Sequence, residues 1–349
     1  MHILGICNGS LRGNSEILLK IALTEAQAQD PTITTSWIHA PSLVMPLNPA
    51  PLVGTLDISM GSNKSQMNGT KTSGALDDRR AALNAILDAD AIIVSSAIYS
   101  HQPPGFLKVL MDRIGGPFLD AGFVTEALEK KAKGDPQFAK FECDQRLLKP
   151  RVLGFMMTGG STTPDQFSMA LPSMQVYFSC LHAKVVDQFV GQNCLDAGSV
   201  LLNPDLTERA KLLAKNIVSQ TGKPYDEAKY LGTSEPGACT YCHLSAIELF
   251  RDNRNGVGCV SCGARGQLVV SEDGGILPQW EKDSRWSCLT LKGKIIHGEE
   301  IMSWGARERS KIADISSERD QWLGVQIPLV PLPSQMAEGL TNSIATVHL

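Results

Sequence analysis

Four of the nine cysteines form two pairs of identical spacing. Two residues separate Cys239 from Cys242 and Cys259 from Cys262, and sixteen residues lie between the two pairs. Thiolates at this spacing can supply the four ligands of a tetrahedral metal site. We therefore predict a four-cysteine metal centre in a zinc-ribbon-like segment. Structural zinc is the preferred ion, and iron, which accepts the same tetrahedral set of sulfurs, stays open as the alternative.

A second group of chemistry-bearing residues follows the first apolar segment of the chain. The sequence GSLRGNS starts at Gly9 and contains Ser10, Arg12, Asn14 and Ser15, all of which can donate hydrogen bonds. A loop of small residues before a helix suits a phosphate, because the helix N terminus offers free N–H groups and partial positive charge. The dinucleotide motif GxGxxG is absent. From the residues alone, a phosphate loop and a plain turn with a helix-capping residue remain equal alternatives.

The elements that must position these residues alternate between short apolar runs and amphipathic segments over the first two hundred residues. This alternation predicts an α/β fold, a doubly wound five-stranded parallel sheet of flavodoxin type covered by helices. Ligands of such sheets bind outside the carboxyl ends of the strands. The predicted strands cover residues 3–7, 34–38, 91–96, 152–157 and 184–190.

Three segments then resemble one family, the NADPH-dependent flavin mononucleotide (FMN) reductase superfamily. GSLRGNS is similar to its GSxRxxS signature, and IYSHQPPGFLKVLMDRI resembles its loop and helix after the third strand. In the second match Gly105, Leu107, Lys108, Asp112 and Arg113 carry the likeness. The sequence TGGS at residues 158–161 resembles the loop after the fourth strand. The resemblance covers roughly residues 1–220.

This resemblance implies a bound FMN and NADPH or NADH as the electron donor. It implies that Ser10, Arg12, Asn14 and Ser15 hold the phosphate. The flavin ring would then lie against two loops, made of Ala97, Ile98, Tyr99, Ser100, Thr158, Gly159, Gly160 and Ser161. No catalytic side chain is assigned, because the hydride chemistry belongs to the flavin. The resemblance also implies a homodimer or homotetramer.

The sequence pattern changes near residue 230, from alternating apolar and amphipathic segments to turns, cysteines and short strands. We predict a flavodoxin-like domain over residues 1–230, the four-cysteine zinc-ribbon-like domain over residues 231–300 and an extension over residues 301–349. The segment from Gly266 to about residue 300 is interpreted as short strands. Four tryptophans of the last third of the chain are interpreted as part of a small aromatic core, and a docking face or a cover over a flavin site is the alternative. Residues 41–75, rich in Pro, Gly and Ser, form either a lid or a disordered loop.

Composition limits the function further. The 349 residues carry 32 Lys and Arg against 36 Asp and Glu, a net charge of −4, which argues against a nucleic-acid partner. No run approaches the roughly 18 apolar residues of a membrane span, and the N terminus lacks a basic secretory signal region. Reduced cysteines in a chain without an export signal indicate the cytoplasm. Of the unpaired cysteines, Cys7 is interpreted as a buried apolar residue.

The leading hypothesis is an NAD(P)H-dependent FMN oxidoreductase. It would pass hydride through the flavin to a quinone, a nitro or azo compound, another flavin or a different small organic acceptor. One alternative is an electron carrier with iron in the four-cysteine site. Another is an interaction protein that uses a zinc ribbon on an α/β scaffold.

Overall fold

The computed structural model describes residues 1–45, 76–115, 119–250 and 255–328. The chain divides into two compact units, Met1–Gly298 and Glu299–Leu349. The first unit contains both the predicted sheet and the four paired cysteines. Most of the predicted 41–75 loop, from residue 46 onward, and the last 21 residues lie outside the described part.

Five parallel strands form the predicted sheet, which is confirmed. Their order is β2-β1-β3-β4-β5, the flavodoxin arrangement. The chain moves from β1 to one side for β2 and returns to the other side for β3, so the switch point lies between β1 and β3. The strands are β1 (His2–Asn8), β2 (Thr34–His39), β3 (Ala91–Ala97), β4 (Arg151–Thr158) and β5 (Ala183–Gly191).

The inner strands are buried on both faces, so their sequences are continuously apolar rather than alternating. In β1, Leu4 and Ile6 enter the core on one side of the sheet, whereas Ile3 and Cys7 enter the core on the other side. Cys7 is fully buried, as expected from its apolar setting, and this burial raises the pKa of its thiol to about 11. Its thiol is therefore unreactive at neutral pH.

Helices cover the two faces of the parallel sheet. Helices α1 and α6 pack on one core through Leu18 and Leu213, and four others pack on the opposite core. Asn203 caps α6 by accepting a hydrogen bond from the Asp205 N–H at 3.1 Å, with Pro204 as the first helical residue. The helices are α1 (Asn14–Gln29), α2 (Arg79–Asp88), α3 (Gly105–Ile114), α4 (Ala121–Ala132), α5 (Ala170–Tyr177) and α6 (Pro204–Gln220).

A buried cation, Arg151, lies at the start of β4 and was not predicted from the sequence. The Arg151 guanidinium donates to the carbonyls of Ala89, Lys149, Leu87 and Arg146 at 2.5–3.1 Å. Burial lowers the pKa of Arg151 to about 10. These four bonds satisfy carbonyls near the end of α2 or before β4, and they join the two elements at the amino end of the sheet.

Four short antiparallel strands form a separate sheet beside the cysteine quartet. Their order is β6-β7-β8-β9. The second cysteine pair follows directly from this sheet, since Cys259 is the last residue of β7. The strands are β6 (Ile247–Leu249), β7 (Gly256–Cys259), β8 (Arg265–Val270) and β9 (Ile276–Trp280).

The strands predicted between residue 286 and residue 300 are wrong, because this segment begins the long helix α7 (Leu291–Lys311). The Thr290 hydroxyl accepts the Gly293 N–H at 2.9 Å and so caps the first turn. A short apolar run such as the one at Ile295 does not by itself distinguish strand from helix. A further helix, α8 (Ser316–Leu323), lies in the predicted extension.

The tryptophan core predicted for the last third of the chain is also wrong for three of its four members. Trp286, Trp304 and Trp322 are 51%, 54% and 70% exposed, and only Trp280 is half-buried. Across the ranges that the structure describes, no helix combines the length and apolar content of a membrane span.

Candidate functional site

The three loops that carry the predicted flavin-binding residues meet at the carboxyl ends of β1, β3 and β4. The Ile98 N–H donates to the Thr158 carbonyl at 2.8 Å and joins the second loop to the third. The hydroxyls of Ser15 and Thr158 lie 3.5 Å apart and join the first loop to the third. Tertiary structure thus collects all three predicted groups at one end of the sheet, beside the switch point.

A tight turn forms the first loop. The Gly13 N–H donates to the Ser10 carbonyl at 3.1 Å, and Arg12 takes a left-handed φ of +60°. The Arg12 N–H donates to the Glu16 carboxylate at 2.7 Å. Hydrogen bonds from the Lys20 ammonium and from this N–H lower the pKa of Glu16, which therefore stays ionised. A capping carboxylate holds the turn in front of α1.

This turn leaves donors unused at the start of α1. Within the described residues, the backbone N–H groups of Leu11, Asn14 and Ser15 have no hydrogen-bond acceptor. The side chains of Ser10 and Arg12 are exposed at the same place. Unsatisfied N–H groups at a helix N terminus, with a hydroxyl and a guanidinium beside them, fit a phosphate group.

The side chain of Asn14 forms its hydrogen bonds with the segment after β5. Its Nδ2 donates to the carbonyls of Cys194 and Asp196 at 3.2 and 2.9 Å and to the Ser199 hydroxyl at 3.2 Å. Its Oδ1 accepts the Val200 N–H at 3.1 Å. Asn14 therefore ties the first loop to the segment after β5, a role that the sequence analysis did not foresee. Its contact with the phosphate stays a prediction.

The second loop contains a strained turn. Tyr99 and Gln102 exchange backbone hydrogen bonds at 2.9 and 3.2 Å across Ser100 and His101, whose φ angles are +48° and +73°. Two left-handed residues in succession define a type I′ turn, which usually contains Asn or Gly. The His101 Nδ1 donates to the Asp165 carbonyl at 2.7 Å and links this turn to the third loop.

Two glycines allow the third loop to pack closely. A Cβ on Gly159 would lie 2.5 Å from the Phe167 ring, and one on Gly160 would lie 2.8 Å from Leu195 Cδ1. The Cys194 N–H donates to the Gly159 carbonyl at 2.9 Å. The glycines predicted on the flavin side therefore also bring the loops after β4 and β5 together.

A cavity of about 110 Å³ opens between the first two loops. Tyr99 and Phe106 border it and are 57% and 53% exposed, so two aromatic faces are available to a planar ligand. The lining residues are Gly9, Ser10, His39, Pro41, Tyr99, Pro104 and Phe106.

Two polar residues that the sequence analysis missed hold this cavity in shape. The amide of Asn8 donates to the Ser96 hydroxyl and to the Pro104 carbonyl, both at 3.0 Å. The His39 Nε2 donates to the Gly9 carbonyl at 2.8 Å. Each residue ends a parallel strand, and position at a carboxyl strand end is the signal that could have identified them.

The four paired cysteines come together at one point. All four are buried, and their sulfur atoms lie within 4.8 Å of one another. The Cys239 and Cys262 sulfurs are 3.6 Å apart, and those of Cys242 and Cys259 are 3.4 Å apart. A tetrahedral ion with bonds of about 2.3 Å requires sulfur separations of roughly 3.8 Å. The predicted quartet is therefore assembled at a spacing that suits a metal ion.

The two cysteine pairs have the same backbone pattern. The His243 N–H donates to the Cys239 carbonyl at 2.8 Å, and the Gly263 N–H donates to the Cys259 carbonyl at 2.9 Å. Both His243 and Gly263 have positive φ, +60° and +80°. The His243 ring stacks on Tyr230 with a centroid distance of 3.8 Å, and burial lowers the pKa of His243 to about 4. His243 therefore fills the glycine-like position of its turn.

Buried amides attach the quartet to the large sheet. Gln175 of α5 and Gln188 of β5 both donate to the Cys242 carbonyl, at 3.1 and 2.8 Å. The Gln175 amide also donates to the side-chain oxygen of Gln188 at 2.9 Å. Two buried hydrogen bonds thus fix one cysteine pair against the parallel sheet, and a third joins the two glutamines that make them.

Comparison with known proteins agrees with this architecture. The sequence model of NADPH-dependent FMN reductase matches residues 1–191. A flavone synthase of Aspergillus candidus is 31% identical over 325 residues, which span 91% of this chain and 94% of the relative.

Solved structures are similar as well. A flavone reductase superposes with a TM-score of 0.71 at 23% identity and covers 95% of this chain and 100% of its own. An NADH:FMN oxidoreductase superposes with a TM-score of 0.40 at 16% identity, over 66% of this chain and 94% of its own. The family match covers more than half of the chain, and with the three convergent loops it leads to one conclusion: the chain belongs to the NADPH-dependent FMN reductase family and is an FMN-dependent NAD(P)H oxidoreductase.

Proposed function

We propose that this oxidoreductase acts on the C2–C3 bond of a flavone-type heterocycle, adding or removing two hydrogens. The observation that supports this choice is the 31% identity to a flavone synthase over 94% of that relative. The likeness extends far beyond the flavin-binding region and includes the part of the chain that contains the cysteine quartet. Among the acceptors expected from the sequence, this proposal selects a small organic molecule with a conjugated carbonyl group.

The residues at the three loops fit FMN. Free N–H groups at the start of α1, with Ser10 and Arg12, offer donors to a phosphate. The loop that contains Tyr99 and the loop that contains Gly159 and Gly160 offer backbone and an aromatic face to a flat ring. When bound, FMN supplies hydride transfer between the nicotinamide and the substrate.

The proposed reaction conserves atoms and electrons both as a reduction and as an oxidation. In reduction, a flavone and NAD(P)H with one proton give the 2,3-dihydro product and NAD(P)+. In oxidation, the dihydro compound and dioxygen give the flavone and hydrogen peroxide. The half-exposed rings of Tyr99 and Phe106 would hold a planar substrate over the cavity and keep water from its faces.

For the cysteine quartet we propose a structural zinc ion. The four buried sulfurs leave no open coordination position. The hydrogen bonds from Gln175 and Gln188 to the Cys242 carbonyl support a role of the site in joining the two sheets. Metal analysis of the purified protein tests this directly. One zinc per chain is the expected result, and one iron would support an electron-transfer role instead.

We also propose a homodimer or homotetramer located in the cytoplasm. The apolar side chains of residues 299–328 are unusually exposed, and Trp322 and Leu323 are 70% and 74% accessible in the single chain. Exposed apolar groups of this kind are commonly buried between subunits. Light scattering on the purified protein measures the assembly, and a monomer would contradict the proposal.

Spectroscopy followed by product analysis tests the enzymatic proposal. The purified protein should have a flavin spectrum that bleaches when NADPH or NADH is added without oxygen. Flavone and flavanone are then supplied separately, and the products are separated by chromatography. The Arg12→Ala variant should bind FMN more weakly, whereas the control Arg319→Ala, at an exposed arginine far along the chain, should not. Bleaching without conversion of either compound would reject the flavone-type substrate and leave the family assignment intact.

A further inference from the structure

A second and larger cavity lies at the opposite end of the parallel sheet from the flavin loops. Its volume is about 800 Å³, and it borders the residues at which β4 and β5 begin. Because β4 is eight residues long, roughly 25 Å separate this cavity from the carboxyl ends of the strands. The lining residues are Pro150, His182, Lys184, Pro224, Tyr225, Asp226, Tyr241, Asp283, Leu289, Thr290, Leu291 and Lys292.

One cationic side chain and one imidazole lie against the same aromatic ring in this cavity. His182 stacks on Tyr225 with a centroid distance of 4.8 Å and an interplanar angle of 19°, and the Lys184 ammonium lies 5.3 Å from the centre of the same ring. Within the described residues, neither the ammonium nor the imidazole has a hydrogen bond or an ion pair. Burial lowers the pKa of both groups.

Within the described residues, neither carboxylate at the cavity forms an ion pair with Lys184. Asp226 attracts Lys184 through space, but the two form no ion pair, and Asp283 is exposed. Lys292 adds a second cationic group to the wall. A half-buried ammonium without a hydrogen-bonded counter-ion is costly, so an anion that enters the cavity gains from Lys184, and an N–H of the neutral His182 ring can donate to it.

The other walls suit a flat ring. The Tyr225 hydroxyl donates to the Leu289 carbonyl and the Tyr241 hydroxyl donates to the Glu281 carbonyl, both at 2.7 Å. These bonds hold the two rings in place. Proline and leucine side chains complete the apolar surface.

We propose that this cavity is a second ligand site, which binds a small aromatic carboxylate with its charge at Lys184, a hydrogen bond from His182 and its ring against Tyr225. The site is separate from the flavin loops and does not depend on the flavone-type substrate. Tyr241 stands between the first two cysteines of the metal quartet, so a bound ligand also contacts the segment that holds the metal.

Calorimetric titration of the flavin-loaded protein with salicylate tests the proposal. We expect saturable binding of salicylate and at least tenfold weaker binding of the neutral analogue salicyl alcohol. Lys184→Gln should weaken salicylate binding at least tenfold, and Lys184→Arg should retain most of it. The matched control is Lys133→Gln, an exposed lysine at the end of α4 whose side chain is 77% accessible.

A second variant keeps the test decisive if Lys184→Gln fails to fold. His182→Phe keeps the ring on Tyr225 but removes the N–H donor, and it should weaken salicylate binding by severalfold. Equal affinity in wild type and in both variants would overturn the proposal, as would a complete lack of salicylate binding to the wild type. Flavin reduction by NADPH is measured in parallel and should be unchanged in all variants, so failure here is distinguishable from failure of the proposed reaction.

Discussion

Replacing Asn14 with alanine separates two roles that this residue could have. In the structure its side chain bonds the segment after β5, through Cys194, Asp196, Ser199 and Val200. A residue that served only the FMN phosphate would leave the flavin-free protein as stable as wild type. A residue that also ties two loops must stabilise the protein without any cofactor.

The expected decrease in the free energy of unfolding follows from the number of hydrogen bonds that the Asn14 side chain makes. The two amide hydrogens of Asn14 share three acceptors, and its oxygen accepts one further N–H, so about three hydrogen bonds are lost. Each contributes about 0.5–1.5 kcal/mol. Because the contact with Asp196 is exposed, we expect the unfolding free energy of flavin-free protein to fall by roughly 2 kcal/mol. FMN affinity should fall as well, since the first loop loses its support.

Urea unfolding of the flavin-free protein, followed by circular dichroism, measures the change, and quenching of flavin fluorescence measures FMN affinity. The control is Gln29→Ala, an exposed amide on the same helix, which should change stability by less than about 0.5 kcal/mol. If Asn14→Ala weakens FMN binding but leaves the unfolding free energy within that margin, the loop-tying role is refuted and Asn14 acts on the phosphate alone.

Three further predictions concern other parts of the molecule. Gly159→Ala should cost about 1–3 kcal/mol by thermal unfolding, because the new Cβ would lie 2.5 Å from the buried ring of Phe167. Gly105→Ala, with open space around it, should not destabilise the protein, and equal effects of the two substitutions would contradict the packing argument. Removal of the metal by a chelator should expose the cysteine segment to limited proteolysis while the parallel sheet stays protected, and a segment that remains resistant would contradict a structural ion. Burial lowers the pKa of His182 in the folded state, so the unfolded chain binds a proton at a higher pH than the folded chain does. The free energy of unfolding should therefore fall as the pH drops below about 6.5. In urea titrations at about pH 5–7, His182→Asn should make this dependence on pH weaker.

Much of the fold follows from local pattern. Buried parallel strands must be apolar along their whole length, so the inner strands were recognisable as runs such as the one from Ala91 to Ser96. A capping asparagine before proline marked the start of α6. Where local pattern is ambiguous the prediction failed, since an apolar run near Ile295 fits a strand or a helix, and the structure makes it α7.

The sequence by itself determined the α/β class, the loop residues that follow the strands and the pairing of cysteines at metal-ligand spacing, because each depends on residue type and short separation along the chain. Only the tertiary structure decided that Asn14 bonds a segment some 180 residues away and that two buried glutamines hold the Cys242 carbonyl. It also brought Lys184, His182 and Tyr225 into one cavity. Contacts of this kind join distant parts of the chain, and no local preference encodes them, since their energy comes from groups that meet only when the chain has folded.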